Sequence, residues 1–266
     1  MKYNYHTHTK RCGHATGEDE DYVIAALNKG YEILGFSDHA MFPNMKEEKG
    51  MRGNFSLLND YIDSINHLKE KYKDKIEILL GMECEYFDCF HDYLYSLLKE
   101  EKMDYLIFGN HFLRFEDGHI FNYPQIYTTD NYIIQYTEHA IKALDSGLFA
   151  IFAHPDLVMG SCRIFNDTWK ECSYKLCEAA KRNNVYLEIN EAGIRKGKNF
   201  YGNEYRYPYP YYEFWKIAKK VGNKVVIGID AHNPDDFNSS SHELAIEFAK
   251  HYKLKIEKNV DLKRKL

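Results

Sequence analysis

The side chains able to do chemistry fall at the ends of short apolar runs. His6-Thr7-His8 closes the first; in an extended chain two imidazoles two positions apart lie on one side, where both reach one cation. Asp38 and His39 close the second run, Glu83 and Glu85 the third, and His111 the fourth. His154 with Asp156 closes the fifth, Glu191 the sixth, and Asp230 with His232 the seventh. Imidazole nitrogens and carboxylate oxygens are the usual ligands of divalent metals. One histidine at a strand end is commonly a hydrogen-bonded structural group. Recurrence at run after run points instead to a shared metal site. His67, His91, His119, His139, His242 and His251 fall within helical or polar stretches and read as surface or capping residues.

The elements that must position these groups alternate. Apolar runs at 2–6, 33–37, 76–82, 105–109, 149–153, 185–189 and 224–229 read as strands. Helical patterns cover 20–29, 57–72, 131–144, 211–221 and 241–251, and a further helix runs to Arg182 with Asp167 as its N-cap. The strands show little of the period-2 pattern of a half-exposed sheet, so they read as parallel strands buried on both faces, in a barrel or a doubly wound sheet. In a parallel barrel the carboxyl ends of all strands share one face, and the scattered clusters converge there. No GxGxxG or GxxxxGK[ST] follows a strand, so nothing supports nucleotide-binding versions of the architecture.

Length and composition fit one such unit. A chain of 266 residues, 44% hydrophobic and 28% charged, is expected to form a single domain over 1–266. A net charge of −5 offers no general attraction to nucleic acid or anionic lipid. The opening lacks a secretory pattern and no apolar run approaches the roughly 20 residues of a membrane span. A cytoplasmic enzyme acting on a small molecule, with no nucleic-acid or membrane partner, is therefore expected; oligomeric state is left open. The six cysteines form no CxxC pair and read as reduced thiols, though Cys12 and Cys84 stand beside candidate ligands and either could be one. The basic end Lys263-Arg264-Lys265 reads as a solvated tail.

In order, His6-Thr-His8 with Cys12-Gly-His14, Ser37-Asp38-His39, Gly81-Met-Glu83, Gly109-Asn-His111, Ala153-His154-Pro155-Asp156 and Gly228-Ile-Asp230-Ala-His232 resemble the motifs of the polymerase and histidinol phosphatase (PHP) superfamily. The resemblance spans Tyr5 to His232, and the H-x-H-x3-C-x-H opening with the Asn110-His111-Phe112 step is most similar to its monofunctional L-histidinol-phosphate phosphatases. It implies a distorted (β/α)7 TIM-like barrel holding two to three divalent metals. By that resemblance His6, His8, Glu83 and Asp230 hold the first metal, Glu83 bridges to a second held also by His111 and His154, and His14, His39 and His232 hold the third. Mixed imidazole and carboxylate ligands suit Zn, Fe or Mn over Mg or Ca. Gly109-Asn110 stands where the family often has Ser-Val, a departure that leaves the histidine itself in place.

Such a cluster implies attack on phosphorus by metal-activated water, with Glu83, Asp230 and His232 at the reacting centre. A phosphate dianion also calls for a guanidinium fork. Arg163, after the fifth strand, and Arg195, after the sixth, are chosen over Arg11, Arg52 and Arg114, against the alternative of solvated loop residues. Asp38 and Asp156 are read as orienting imidazoles or shuttling a proton. Three functions compete: hydrolysis of L-histidinol phosphate in histidine biosynthesis; hydrolysis of another small phosphomonoester or a nucleic-acid 3′ end; and a non-catalytic metal-binding module. The last is disfavoured because no ligand position is missing, and the nucleic-acid substrate by the acidic charge.

Overall fold

The computed structural model describes residues 2–45, 51–100, 102–114, 120–122 and 129–264. Its frame is a sheet of seven strands in sequence order: β1 (Tyr3–Asn4), β2 (Ile33–His39), β3 (Glu77–Cys84), β4 (Tyr105–Gly109), β5 (Ile151–Ala153), β6 (Tyr186–Asn190) and β7 (Val225–Gly228). Every neighbouring pair is parallel. Beyond the ends of β1 and β7 a parallel bridge joins Thr7 to Ala231, so the sheet is a nearly closed barrel.

Among the described residues eight α-helices surround it: α1 (Asp19–Asn28), α2 (Leu58–Tyr72), α3 (His91–Lys99), α4 (Asp130–Asp145), α5 (Asp167–Arg182), α6 (Glu191–Arg195), α7 (Tyr212–Val221) and α8 (Ser241–His251). The α2 face Tyr61, Ile65, Leu68 and Tyr72 is buried, at the spacing that gives an amphipathic helix one apolar stripe. Among the described residues two small antiparallel strand pairs, Phe112–Arg114 with Ile120–Asn122 and Asn199–Tyr201 with Glu204–Arg206, interrupt the βα alternation.

Strand alternation divides the core in two. Outward residues such as Leu34, Phe36, Leu80, Met82, Phe108 and Ile189 pack in the large cluster under the helices. Inward residues Ile33, Tyr105, Ile107, Ile151, Tyr186 and Val226 form a second, with Tyr3, Tyr5 and Leu262. Tyr105 fills the barrel interior and donates its hydroxyl to the carbonyls of Tyr5 (2.7 Å) and Phe36 (3.1 Å). It fits because Gly35 and Gly81 flank it: a Cβ at Gly81 would stand 2.7 Å from the ring, and one at Gly35 would overlap the hydroxyl. The same inward parity, followed to the carboxyl ends, passes from Gly81 to Glu83, from Tyr186 to Glu188, and through the buried stretch of β2 to His39.

Two local expectations change. The cap of α5 is Asn166, whose Oδ1 accepts from Trp169 N at 3.1 Å, leaving Asp167 as a first-turn acid. Arg264 is docked: its Nε donates to the Gly147 carbonyl (3.0 Å) and Nη2 to that of Asn183 (2.8 Å), at the carboxyl ends of α4 and α5. Lys265 lies outside the described residues. All six cysteines are free thiols. Among the described residues no helix is long and apolar enough to cross a membrane.

Candidate metal centre

Glu83, at the inward-facing end of β3, is 1% exposed, and its two oxygens face different partners. Oε2 lies 3.4 Å from His6 Nε2 and 3.5 Å from His8 Nε2. The two imidazole nitrogens are 3.1 Å apart, and Asp230 Oδ1 lies 3.4 and 3.1 Å from them. Ligands of a tetrahedral ion with metal–ligand bonds of 2.0–2.1 Å stand about 3.3 Å apart, so these four atoms have the spacing of one coordination shell. Oε1 faces a second group: His154 Nε2 at 2.9 Å and His111 Nε2 at 3.4 Å, themselves 3.2 Å apart.

The backbone brings these groups together. Register pairs His39 with Glu83 across β2 and β3. The Thr7–Ala231 bridge sets His6 and His8 beside Asp230 and His232. Asp230 (φ 55°) and His154 (φ 31°) have positive φ, a conformation costing on the order of 1–3 kcal/mol and found preferentially at functional sites. Carboxylates then orient the rings. His6 Nδ1 lies 2.9 Å from Glu188 Oε1, and His111 Nδ1 lies 3.0 Å from Glu85 Oε1. With Nδ1–H donated outward, Nε2 of each presents its lone pair to the centre. Glu85 is itself held by Arg52, whose Nη1 lies 2.9 Å from Oε2.

The charges within the cluster balance one another: against burial, Glu188 and Asp230 raise His6 well above the ordinary imidazole value, and Asp230 and Asp38 raise His8 to about 9. Burial pushes the Glu83 carboxyl up, but His111 and His6 hold it well below the usual carboxylate range; Asp230 is held down likewise, against burial, by His6 and His8. Burial and the neighbouring His8 push His39 well below the ordinary imidazole value and His232 down to about 3, leaving both neutral, as coordination requires. His232 Nε2 is buried with no hydrogen-bond partner among the described residues, and His39 Nδ1, without a well-aligned hydrogen bond, lies 3.2 Å from Glu83 Oε2. A bound cation is the partner such atoms fit.

His14, His39 and His232 surround the ring of His8. Its centroid is 4.3 Å from that of His39 and 4.0 Å from that of His232, while His14 stacks on His232 at 4.5 Å. His8, His39 and His232 offer ligand atoms within 4.8 Å of one another, as do Cys12, His14 and His232. Cys12 thus joins the edge of the cluster, whereas Cys84 is buried with its Sγ 3.7 Å from the Met82 carbonyl.

Other candidates fall elsewhere. Arg163 is exposed, donates to the Gly160 carbonyl (3.3 Å) and lies over the Tyr201 ring, on a groove with Tyr211 and Lys216; among the described residues none of these contacts is with the cluster. Arg195 sits beneath the cluster, with Nη1 on the Ile229 carbonyl (2.8 Å), Nη2 on that of Asp230 (2.8 Å) and Nε 3.2 Å from Asp236 Oδ1. Asp38 accepts from Thr9 Oγ1 and from His39 N (2.8 Å), and its Oδ1 stands 3.6 Å from His8 Nδ1, beyond hydrogen-bond length, so it does not orient that ring through a hydrogen bond. Asp156 does not orient an imidazole either: its Oδ2 accepts from Tyr211 N (2.6 Å) and Trp215 Nε1 (2.9 Å), and burial raises it to about 7.

Glu191 faces away, accepting from Ser241 Oγ (2.8 Å) and meeting His242 Nδ1 (2.7 Å). His139 is buried against the Tyr86 carbonyl (2.6 Å) and is not a surface residue; His119 lies outside the described residues. The sequence reading missed Glu188 and Asn190. A carboxylate at an inward position of an otherwise apolar strand was the available signal.

A parallel seven-stranded α/β barrel with a histidine–carboxylate cluster at its carboxyl ends defines the class. Residues 4–192 match the PHP domain model, and the chain belongs to that family. It is 26% identical over 245 residues to a protein of Deinococcus radiodurans named "Probable histidinol-phosphatase", covering 87% of this chain and 86% of that one. It is 26% identical over 275 residues to the histidinol-phosphatase of Bacillus subtilis, covering 89% and 95%. In fold it is similar to the histidinol phosphate phosphatase of Lactococcus lactis solved with Zn, L-histidinol and phosphate: TM-score 0.70, 18% identity, 96% and 94% coverage.

Proposed function

We propose that the protein is a metal-dependent phosphatase that hydrolyses L-histidinol phosphate to L-histidinol and phosphate. The observation that carries the metal half of this reading is Glu83, one oxygen turned to His6, His8 and His39 and the other to His111 and His154. In this reading His6, His8, Glu83 and Asp230 hold one divalent ion, and Glu83, His111 and His154 a second. His14, His39 and His232 hold a third. The substrate half rests on the histidinol-phosphatase names of full-length relatives.

Bound divalent transition metals supply Lewis acidity toward phosphoryl oxygens and make water nucleophilic near neutral pH. The chain's own residues prepare that site. Glu188 and Glu85 keep the protons of His6 and His111 on Nδ1, so both Nε2 atoms stay free for coordination. The buried walls keep bulk water from competing for the carboxylates.

The test is metal analysis of pure protein alongside phosphate release from L-histidinol phosphate and a panel of other small phosphomonoesters. Two to three equivalents of transition metal are expected, with loss of turnover on chelation and kcat/KM for L-histidinol phosphate on the order of 10²-fold above the panel. Under one equivalent in active protein overturns the metal centre. Metal-dependent hydrolysis favouring another ester overturns the substrate alone.

A further inference from the structure

We propose that Glu188 is the positioning residue tying the two halves of the metal centre together, an inference resting on the reading that Glu83 bridges two ions. Glu188 is 1% exposed, at an inward position of β6, and it reaches both halves without entering either group of ligand atoms. Its Oε1 and Oε2 lie 2.9 and 3.1 Å from His6 Nδ1, in the first half. Its Oε2 accepts the main-chain N–H of His154, in the second, at 3.2 Å. The same Oε2 accepts from Asn190 Nδ2 at 2.8 Å, and Asn190 also donates to Asp230 Oδ2 at 3.1 Å. One buried carboxylate therefore touches His6 and His154 directly and Asp230 through one amide.

Nothing about barrel stability calls for a charge there. A buried carboxylate is expensive even when its oxygens are satisfied, and an apolar side chain of similar size is often as good or better. What it gives is geometry. It fixes the His6 proton on Nδ1, and it pins His154 where the backbone has φ 31° and would otherwise relax. The fold makes room for it: on the neighbouring strand β7, a Cβ at Gly228 would overlap Glu188 Oε1. Gly228 pairs in register with Asn190. Glutamine cannot do the same work, because its amide has one acceptor oxygen for three donors and turns an NH₂ toward another N–H.

The test titrates chelated full-length protein with Zn²⁺ in competition with a chromophoric chelator, for wild type, Glu188→Gln, Glu188→Asp and Gly228→Ala. Thermal unfolding of the chelated forms and kcat and KM of the loaded forms are measured in parallel. Glu188→Gln should weaken both of the tighter Zn²⁺ sites by about 10–100-fold, with kcat reduced and chelated-form Tm unchanged or raised. Gly228→Ala, which displaces the carboxylate without removing its charge, should act in the same direction, and Glu188→Asp should recover part of the affinity. If Glu188→Gln does not fold, those two variants carry the test. Weakening of only one site overturns the tie between halves. Unchanged affinities, or a lowered chelated-form Tm with normal affinities, overturn the positioning role. Wild type binding no Zn²⁺ would instead sink the underlying metal reading.

Discussion

Thr7 and Ala231 form the parallel bridge that closes the barrel, with His8 N donating to the Ala231 carbonyl at 2.9 Å and Ala231 N to the His6 carbonyl at 3.2 Å. Both bridge residues are buried and chemically bland; their neighbours His6, His8, Asp230 and His232 are not. Pairing the two middle residues brings the flanking four together, with Asp230 turned there by its positive φ and not by strand alternation. Closure of the fold and assembly of the centre are therefore one event. Ala231→Pro removes the second of these hydrogen bonds and should cost about 1–3 kcal/mol of stability. It should also lower metal content, which elemental analysis beside calorimetry would reveal; full metal content at reduced stability would separate closure from assembly.

Chelation should destabilise the protein as well as silence it. An ion binding only the folded state, at a free concentration 1,000 times its Kd, stabilises by about 4 kcal/mol. For a domain of this size that corresponds to a Tm shift on the order of 10 °C. Calorimetry with and without chelator, followed by re-addition of Zn²⁺, measures it; an unchanged Tm argues against a centre that contributes to folding.

Glu83→Ala should be worse than loss of a peripheral imidazole. Its two oxygens face separate groups, so its removal disturbs both, whereas the exposed His14 touches only the outer edge. Metal content and turnover of Glu83→Ala and His14→Ala, compared directly, decide this. Equal losses would deny Glu83 a bridging role.

The clusters were legible because ligand-type residues stand out at the ends of apolar runs, and because parallel strands bring those ends to one face. Adjacency in sequence misled where the chain turns. Glu191 follows β6 directly, but the Asn190 side chain accepts from Ala192 N at 2.9 Å and starts α6 there, so Glu191 swings toward α8. Glu188, three residues earlier, has the inward parity and was hidden inside the strand. Arg264 reads as a tail residue because a carbonyl target three dimensions away leaves no trace in local composition.

The barrel interior offers a test away from the chemistry. Gly35→Ala should cost on the order of 1–3 kcal/mol, because the new Cβ meets the Tyr105 hydroxyl in a packed core. Removing that hydroxyl in Gly35→Ala/Tyr105→Phe should recover part of the loss, although Tyr105→Phe alone also sacrifices its bonds to Tyr5 and Phe36. Denaturant unfolding of the four proteins gives the coupling. Strict additivity would mean that the barrel relaxes around the added methyl.

Arg195 separates two accounts of how an arginine serves this centre. As a phosphate clamp it would need its fork free, and replacement would leave metal content intact. In the structure both Nη atoms hold the carbonyls of Ile229 and Asp230, and Nε faces Asp236. Asp230 sits at φ 55°, so those bonds brace a residue that the backbone alone would not keep in place. Losing two charged hydrogen bonds in a mostly buried setting should cost on the order of 2 kcal/mol of stability. With Asp230 released, the first group of ligand atoms loosens. Arg195→Ala should therefore lower metal content together with kcat/KM, the latter by on the order of 10²-fold, about 2.7 kcal/mol. Arg195→Lys should recover little, since one ammonium cannot span both carbonyls and Asp236. Elemental analysis and steady-state kinetics on the same preparations distinguish the accounts: reduced turnover with full metal content would return Arg195 to the substrate, and reduced metal content places it under Asp230.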